Sequence, residues 1–83
     1  MFTVLTRTNT GSTARLGLIV SRRVNKRAVV RNAIKRVVRE SFRCSAIRAY
    51  SLDIVVIARS AASDASNVQR RKALERALAR LEH

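Results

Sequence analysis

Eighty-three residues with a single cysteine leave room for one domain and exclude a disulfide framework. Eighteen Lys and Arg against five Asp and Glu give a formal charge of +13, so the free chain repels itself and attracts polyanions. An apolar content of 47% excludes a disordered basic tail, and no apolar run approaches the roughly 20 residues of a membrane span.

Phe2 to Thr8 is β-branched and alternating, which predicts a strand with Phe2, Val4 and Thr6 on one face and Thr3, Leu5 and Arg7 on the other. NTGST, from Asn9 to Thr13, is turn chemistry around Gly11. RLGLIVS, from Arg15 to Ser21, predicts a second strand, and the pair reads as an antiparallel hairpin with a loose loop. Gly17 inside it predicts a bulge or a close backbone approach. RRVNKRA, from Arg22 to Ala28, reads as a basic loop, and VVRNAIKRVVRESFR, from Val29 to Arg43, as a helix. CSAIRAYS is a connector. LDIVVIAR, from Leu52 to Arg59, is apolar on both faces, which predicts a central strand covered on both sides. SAASDAS reads as a polar linker. A second helix is predicted over residues 67–80, with Ser66 and Gln69 as a capping box and Val68, Leu74, Ala77, Leu78 and Leu81 as its buried face. The order β-β-α-β-α predicts an α+β, two-layer fold with helices packed on a mixed β-sheet.

The ends carry two further expectations. LEH at residues 81–83 reads as a histidine-tag remnant, so His83 carries no functional weight. Met1 runs straight into a strand, which predicts that the natural protein extends before Phe2. The lone Cys44 fits a reducing, cytoplasmic compartment.

Around the first helix, Val30, Ala33, Ile34, Val37, Val38 and Ser41 gather on one side, with Phe42 at the edge. Arg31, Asn32, Lys35, Arg36, Arg39 and Arg43 gather on the other, with Glu40 between. Arg31, Lys35, Arg39 and Arg43 follow one another at four-residue steps with no acid among them. Each like-charged step destabilises a helix by a few tenths of a kcal/mol. Arg22, Arg23, Lys26 and Arg27 add to the same region, so residues 22–43 hold nine of the eighteen cations and one of the five acids. A solvated face mixes signs, and a membrane-surface helix needs bulkier anchors than Val, Ile and Ala. Nucleic acid fits best, because fifteen of the eighteen cations are arginine, whose planar fork grips phosphate and stacks on bases. Charge alone leaves RNA and DNA both open.

KRAVVRNAIKRVVRESFR, from Lys26 to Arg43, resembles the signature helix of the protein subunit of bacterial ribonuclease P. The family's Arg-Asn, Lys-Arg, Arg-Glu and Phe-Arg pairs match Arg31-Asn32, Lys35-Arg36, Arg39-Glu40 and Phe42-Arg43 in order and spacing. RLGLIVSRRV and LDIVVIAR fall where the family has its strands. The resemblance implies a left-handed β-α-β crossover, in the fold of the second domain of a small-subunit ribosomal protein and against the usual right-handed rule. It implies a protein that assists removal of 5′ leaders from precursor tRNA, with catalysis by a large RNA subunit that holds Mg²⁺. Its implied RNA contacts are Arg31, Asn32, Lys35, Arg36, Arg39 and Arg43, extended by Arg22, Arg23 and Lys26. Ala33 stands where many members carry a third basic residue, which removes one peripheral contact. The family's aromatic N-terminal helix, one wall of the leader cleft, has no counterpart before Phe2. That implies weakened contact with the precursor tRNA leader and an uncovered sheet face prone to self-association.

Apart from the resemblance, the residues show no hydrolytic machinery. The five acids, Glu40, Asp53, Asp64, Glu75 and Glu82, are scattered, with no pair for acid–base or two-metal chemistry. Ser21 and Cys44 have no base beside them and read as structural. The rival readings are a ribosomal-type structural RNA-binding protein and a basic DNA-binding domain.

Overall fold

The strand Leu52–Ala58 has a hydrogen-bonded partner on each of its edges. A computed structural model describes residues 1–81 apart from Ser12 and the side chain of Arg48. It places this strand, β3, between β1 (Phe2–Thr8) and β2 (Arg15–Ile19). β1 pairs antiparallel with β3, from Phe2 opposite Ala58 to Thr8 opposite Leu52. β2 pairs parallel with β3, from Arg15 opposite Asp53 to Ile19 opposite Ile57. The sheet is therefore mixed, and the expected β1–β2 hairpin does not form.

The reason lies in the loop and in Asn9. Two strands flanking a third stand roughly 10 Å apart, and the connection over residues 9–14 is long enough to span that gap. Asn9 instead ties the loop to the end of β3. Its backbone N–H donates to the Ser51 carbonyl at 3.0 Å, and its side-chain amide donates to Asp53 Oδ1 at 3.0 Å. Gly17 makes no bulge, since the register runs unbroken from Leu16 through Leu18. A Cβ there would meet Val55 Cγ2 at 3.6 Å, an ordinary contact.

Between β2 and β3 the chain forms α1 (Ala28–Arg43). Its apolar residues recur at three- and four-residue spacing, so Ile34, Val37, Val38 and Ser41 are buried together, as expected. A short 3₁₀ turn at Ala46–Ala49 resolves the connector and drives Ile47 fully into the core. After β3, the stretch read as a linker contains a one-turn helix, α2 (Ala61–Asp64), because Ala62 is small and apolar enough to be wholly buried. α3 (Asn67–Arg80) opens on the predicted capping box: the Gln69 N–H donates to Ser66 Oγ at 3.1 Å, and the Ser66 N–H donates to Gln69 Oε1 at 2.8 Å. Leu74 and Leu78 are buried, but Val68 is 60% exposed and Arg70 takes the inward place one turn before Leu74. Of the tag remnant expected at residues 81–83, Leu81 is the C-cap of α3 and packs against the core, and residues 82–83 lie outside the described residues.

The helices cover one face of the sheet. Ile34, Val38, Ile47, Ala62, Leu74 and Leu78 form a single core with Ile54 and Val56, and Phe2, Val4, Leu16 and Leu18 pack against it. Full burial of each large side chain stabilises the fold by about 1.5–3 kcal/mol. The other face is open, so β3 is central but covered on one side only. Across it run three rows: Arg7–Asp53–Arg15, Leu5–Val55–Gly17 and Thr3–Ile57–Ile19. Leu5 and Ile19 are half exposed, at 54% and 50%.

Candidate nucleic-acid interface

The apolar stripe of α1 fixes which way its polar residues point. With Ile34, Val37 and Val38 turned inward, Asn32, Arg36, Arg39 and Arg43 are exposed, while Lys35 and Arg31 are half-buried on the flanks. Asn32, Arg36, Arg39, Glu40 and Arg43 line a hollow of about 430 Å³. Ala33 sits half-buried on the inner flank, on the apolar side where the spacing placed it.

The loop before α1 continues this surface. Val24 is its anchor, 8% exposed and part of the core, with its N–H bonded to the Ser21 carbonyl at 3.1 Å. Anchoring Val24 leaves Arg22, Arg23, Lys26 and Arg27 in solvent. Arg22, Arg23, Lys26 and Arg31 surround a second hollow, of about 630 Å³. Eight of the nine predicted contact residues therefore line one or other of two hollows formed by the loop and α1, and Lys35 lies half-buried on α1 outside both. Arg31 differs from the rest. Its Nη1 donates to the carbonyls of Asn25 and Lys26, each at 2.9 Å, so part of its guanidinium is spent inside the protein.

This surface is electrostatically uncompensated. Among the described residues, the ion pairs are those of Asp53 with Arg15 at 2.8 Å and with Arg7 at 3.5 Å, both on the open sheet face. There the Arg15 hydrogen bond, then that of Asn9, lowers the Asp53 carboxyl to about 2, and Arg15 is raised in return. Glu40 borders the α1 hollow without forming such a pair. Nine cations without counter-ions on a rigid scaffold form a ready site for a phosphate backbone.

The structure adds residues that pattern reading left out. Arg71 of α3 borders the groove that contains Arg43 and Glu75. Asn25 fastens the loop, its Nδ2 donating to Ser63 Oγ at 2.8 Å. A signal for the loop was present: Val24 is the one large apolar residue in a run of charges, as an anchor would be. Nothing local in the sequence pointed to Asn25. Among the described residues no three His, Cys, Asp or Glu side chains cluster as metal ligands, and no helix is long and apolar enough to cross a membrane.

Comparison with known proteins gives a consistent picture. The family model described as Ribonuclease P matches residues 1–82. The ribonuclease P protein component of Thioalkalivibrio sulfidiphilus is 46% identical over 80 residues, covering 96% of this chain and 67% of that protein. The component from Marinomonas is 45% identical over 76 residues, covering 92% and 58%. The chain thus spans about three-fifths to two-thirds of the length of these relatives. Among solved structures, the RNase P protein of Staphylococcus aureus superposes with a TM-score of 0.86 at 36% identity, over 98% of this chain and 73% of that one. That of Thermotoga maritima gives 0.81 at 37% identity, over 95% and 76%.

Proposed function

The chain belongs to the ribonuclease P protein family, and from that premise we propose that it is the RNA-binding protein subunit of a ribonucleoprotein endoribonuclease that removes 5′ leaders from precursor tRNA. The observation that carries this reading is the one-signed surface of the loop and α1, which no carboxylate neutralises within ion-pair distance among the described residues. Arg22, Arg23, Lys26, Lys35, Arg36, Arg39 and Arg43 bind phosphates of the catalytic RNA. Asn32 supplies an uncharged donor and acceptor suited to a base edge or a ribose hydroxyl. Arg31 divides its guanidinium between the loop carbonyls and the RNA.

The protein's part is electrostatic. Phosphates drawn together in a folded RNA repel one another, and a rigid array of guanidinium groups offsets that repulsion and releases condensed counter-ions. Mg²⁺ would be held by the RNA, where it would activate the attacking water, and the side chains of this chain would bind and position without entering the chemistry. Family membership favours this reading over a ribosomal-type binder or a DNA-binding domain. The complex works in the cytoplasm.

Reconstitution tests it. With catalytic RNA and precursor tRNA at low Mg²⁺, added protein accelerates leader release. Binding to the RNA weakens by roughly 10³ to 10⁵ between 50 and 200 mM salt, as expected for six to ten neutralised phosphates. No complex with that RNA, or binding flat in salt, overturns the proposal. Duplex DNA bound as tightly as the RNA favours the DNA-binding alternative.

A further inference from the structure

The cations of the loop point outward, yet the backbone carrying them is held from behind by a chain of hydrogen bonds. Asn25 is its hub. Its Nδ2 donates to Ser63 Oγ at 2.8 Å, its Oδ1 accepts from the Arg27 N–H at 2.8 Å, and its carbonyl accepts from Arg31 Nη1 at 2.9 Å. One side chain thereby connects the loop, the start of α1 and the helix α2, 38 residues away.

α2 can serve as a fixed point only because something fixes it. A four-residue helix does not persist alone. Its Ala62 is fully buried, and its Ala62 and Ser63 carbonyls accept from Nε and Nη2 of Arg70 at 2.7 and 3.0 Å. Arg70 is 6% exposed and is itself braced by Asn67 Oδ1, which accepts from Nη1 at 2.9 Å. The line runs from α3 through Arg70 to α2, from Ser63 to Asn25, and from Asn25 to the backbone between Arg23 and Arg27. Every link before the loop is buried or half-buried, and the cations begin where it ends.

We propose that Asn25, seated on Ser63, is a positioning residue for the RNA-binding surface: it holds the loop cations Arg22, Arg23 and Lys26 at a set angle to the basic face of α1 before RNA arrives. The proposal rests on the RNA-binding reading above. It assigns an uncharged residue that touches no phosphate a share of the affinity, through the ordering that binding then need not supply. Loss of the brace lowers affinity without changing the number of phosphates neutralised.

The experiment measures binding to the catalytic RNA across a salt series for the wild type, Asn25→Ala, Ser63→Ala and the double variant, with Arg36→Ala as a charge reference. Asn25→Ala and Ser63→Ala each weaken binding by about tenfold, the scale of ordering two or three long side chains. The double variant binds no more weakly than Asn25→Ala alone, because the bond that Ser63→Ala breaks is one that Asn25→Ala already removes. Their salt slopes stay parallel to wild type, whereas Arg36→Ala loses about 0.7–0.9 of slope. Affinity of Asn25→Ala within twofold of wild type overturns the proposal, as do additive single effects or a reduced slope. Amide exchange in the free protein tests the brace without RNA. In Ser63→Ala the Arg27 amide exchanges at least tenfold faster while the β3 amides hold their rates, and an unchanged Arg27 rate overturns the brace. A wild-type protein that fails to bind the RNA overturns the reading of function instead.

Discussion

α1 and α3 are both basic amphipathic helices, of 16 and 14 residues, packed into one core, and they are built on opposite terms. α3 satisfies itself: a capping box closes its start, and its one buried cation, Arg70, has three acceptors. α1 does not. No side chain caps it, and Ser41 Oγ is buried without a hydrogen-bond partner among the described residues. Its outer face carries four like charges at four-residue steps, from Arg31 to Arg43, whereas α3 has a shorter run, Lys72, Arg76 and Arg80, and sets Arg71 four residues from Glu75. A helix that carries so many small penalties in the free protein fits a partner that removes them, while its neighbour supplies the stability both need.

Substitutions can break this contrast. The largest effect is expected from Val37→Asp, which places an unpaired charge at a position 4% exposed. The domain loses its cooperative thermal transition. Two residues along on the outer face, Arg39→Ala changes stability by no more than about 0.5 kcal/mol and weakens RNA binding. Equal loss of melting temperature in the two variants means that the faces of α1 are assigned wrongly. Arg70→Ala comes next. It strips the donors from two α2 carbonyls and costs about 2–4 kcal/mol in denaturant unfolding.

The capping contrast is smaller and has two signs. Ser66→Ala destabilises by about 1 kcal/mol through the lost α3 cap. Ser41→Ala in α1 stabilises by about 1 kcal/mol, because it removes a buried hydroxyl that has no partner. A loss in both variants shows that α1 is as self-sufficient as α3. The smallest effect belongs to Asp53, lowered to about 2 by its Arg15 and Asn9 hydrogen bonds. Its folded value lies below the unfolded one, so its contribution is full above about pH 4 and is lost as the pH falls toward 2. Thermal melts across that window fall more steeply for wild type than for Asp53→Asn.

What was legible in the sequence was local. Alternation located β1, and its expected span Phe2–Thr8 is the observed one. Four-residue periodicity separated the faces of α1, and Ser66 with Gln69 marked the start of α3, because each signal involves residues within a turn of one another. Partners distant in the chain were not legible. Nothing near Thr8 shows that β3, more than 40 residues on, takes the edge that a hairpin gives to β2. Val68 and Arg70 exchange roles for the same reason. α2 offers Arg70 two carbonyls to bind, a reward created by tertiary structure that outweighs the apolar character of Val68. The nine expected contact residues were legible because they are local to one loop and one helix, whereas Asn25 bonds to Ser63 far along the chain and so escaped notice.

The strand order has a consequence for how the protein is made. β3 occupies the centre of the sheet but is the last strand to be synthesised. Arg7 waits for a partner 46 residues downstream and Arg15 for one 38 downstream, so neither earlier strand can pair in its native register on a ribosome that has not yet passed Asp53. The basic loop and α1, by contrast, are complete by Arg43. A nascent chain therefore carries every cation of the loop and α1 before it holds the strand that completes its sheet.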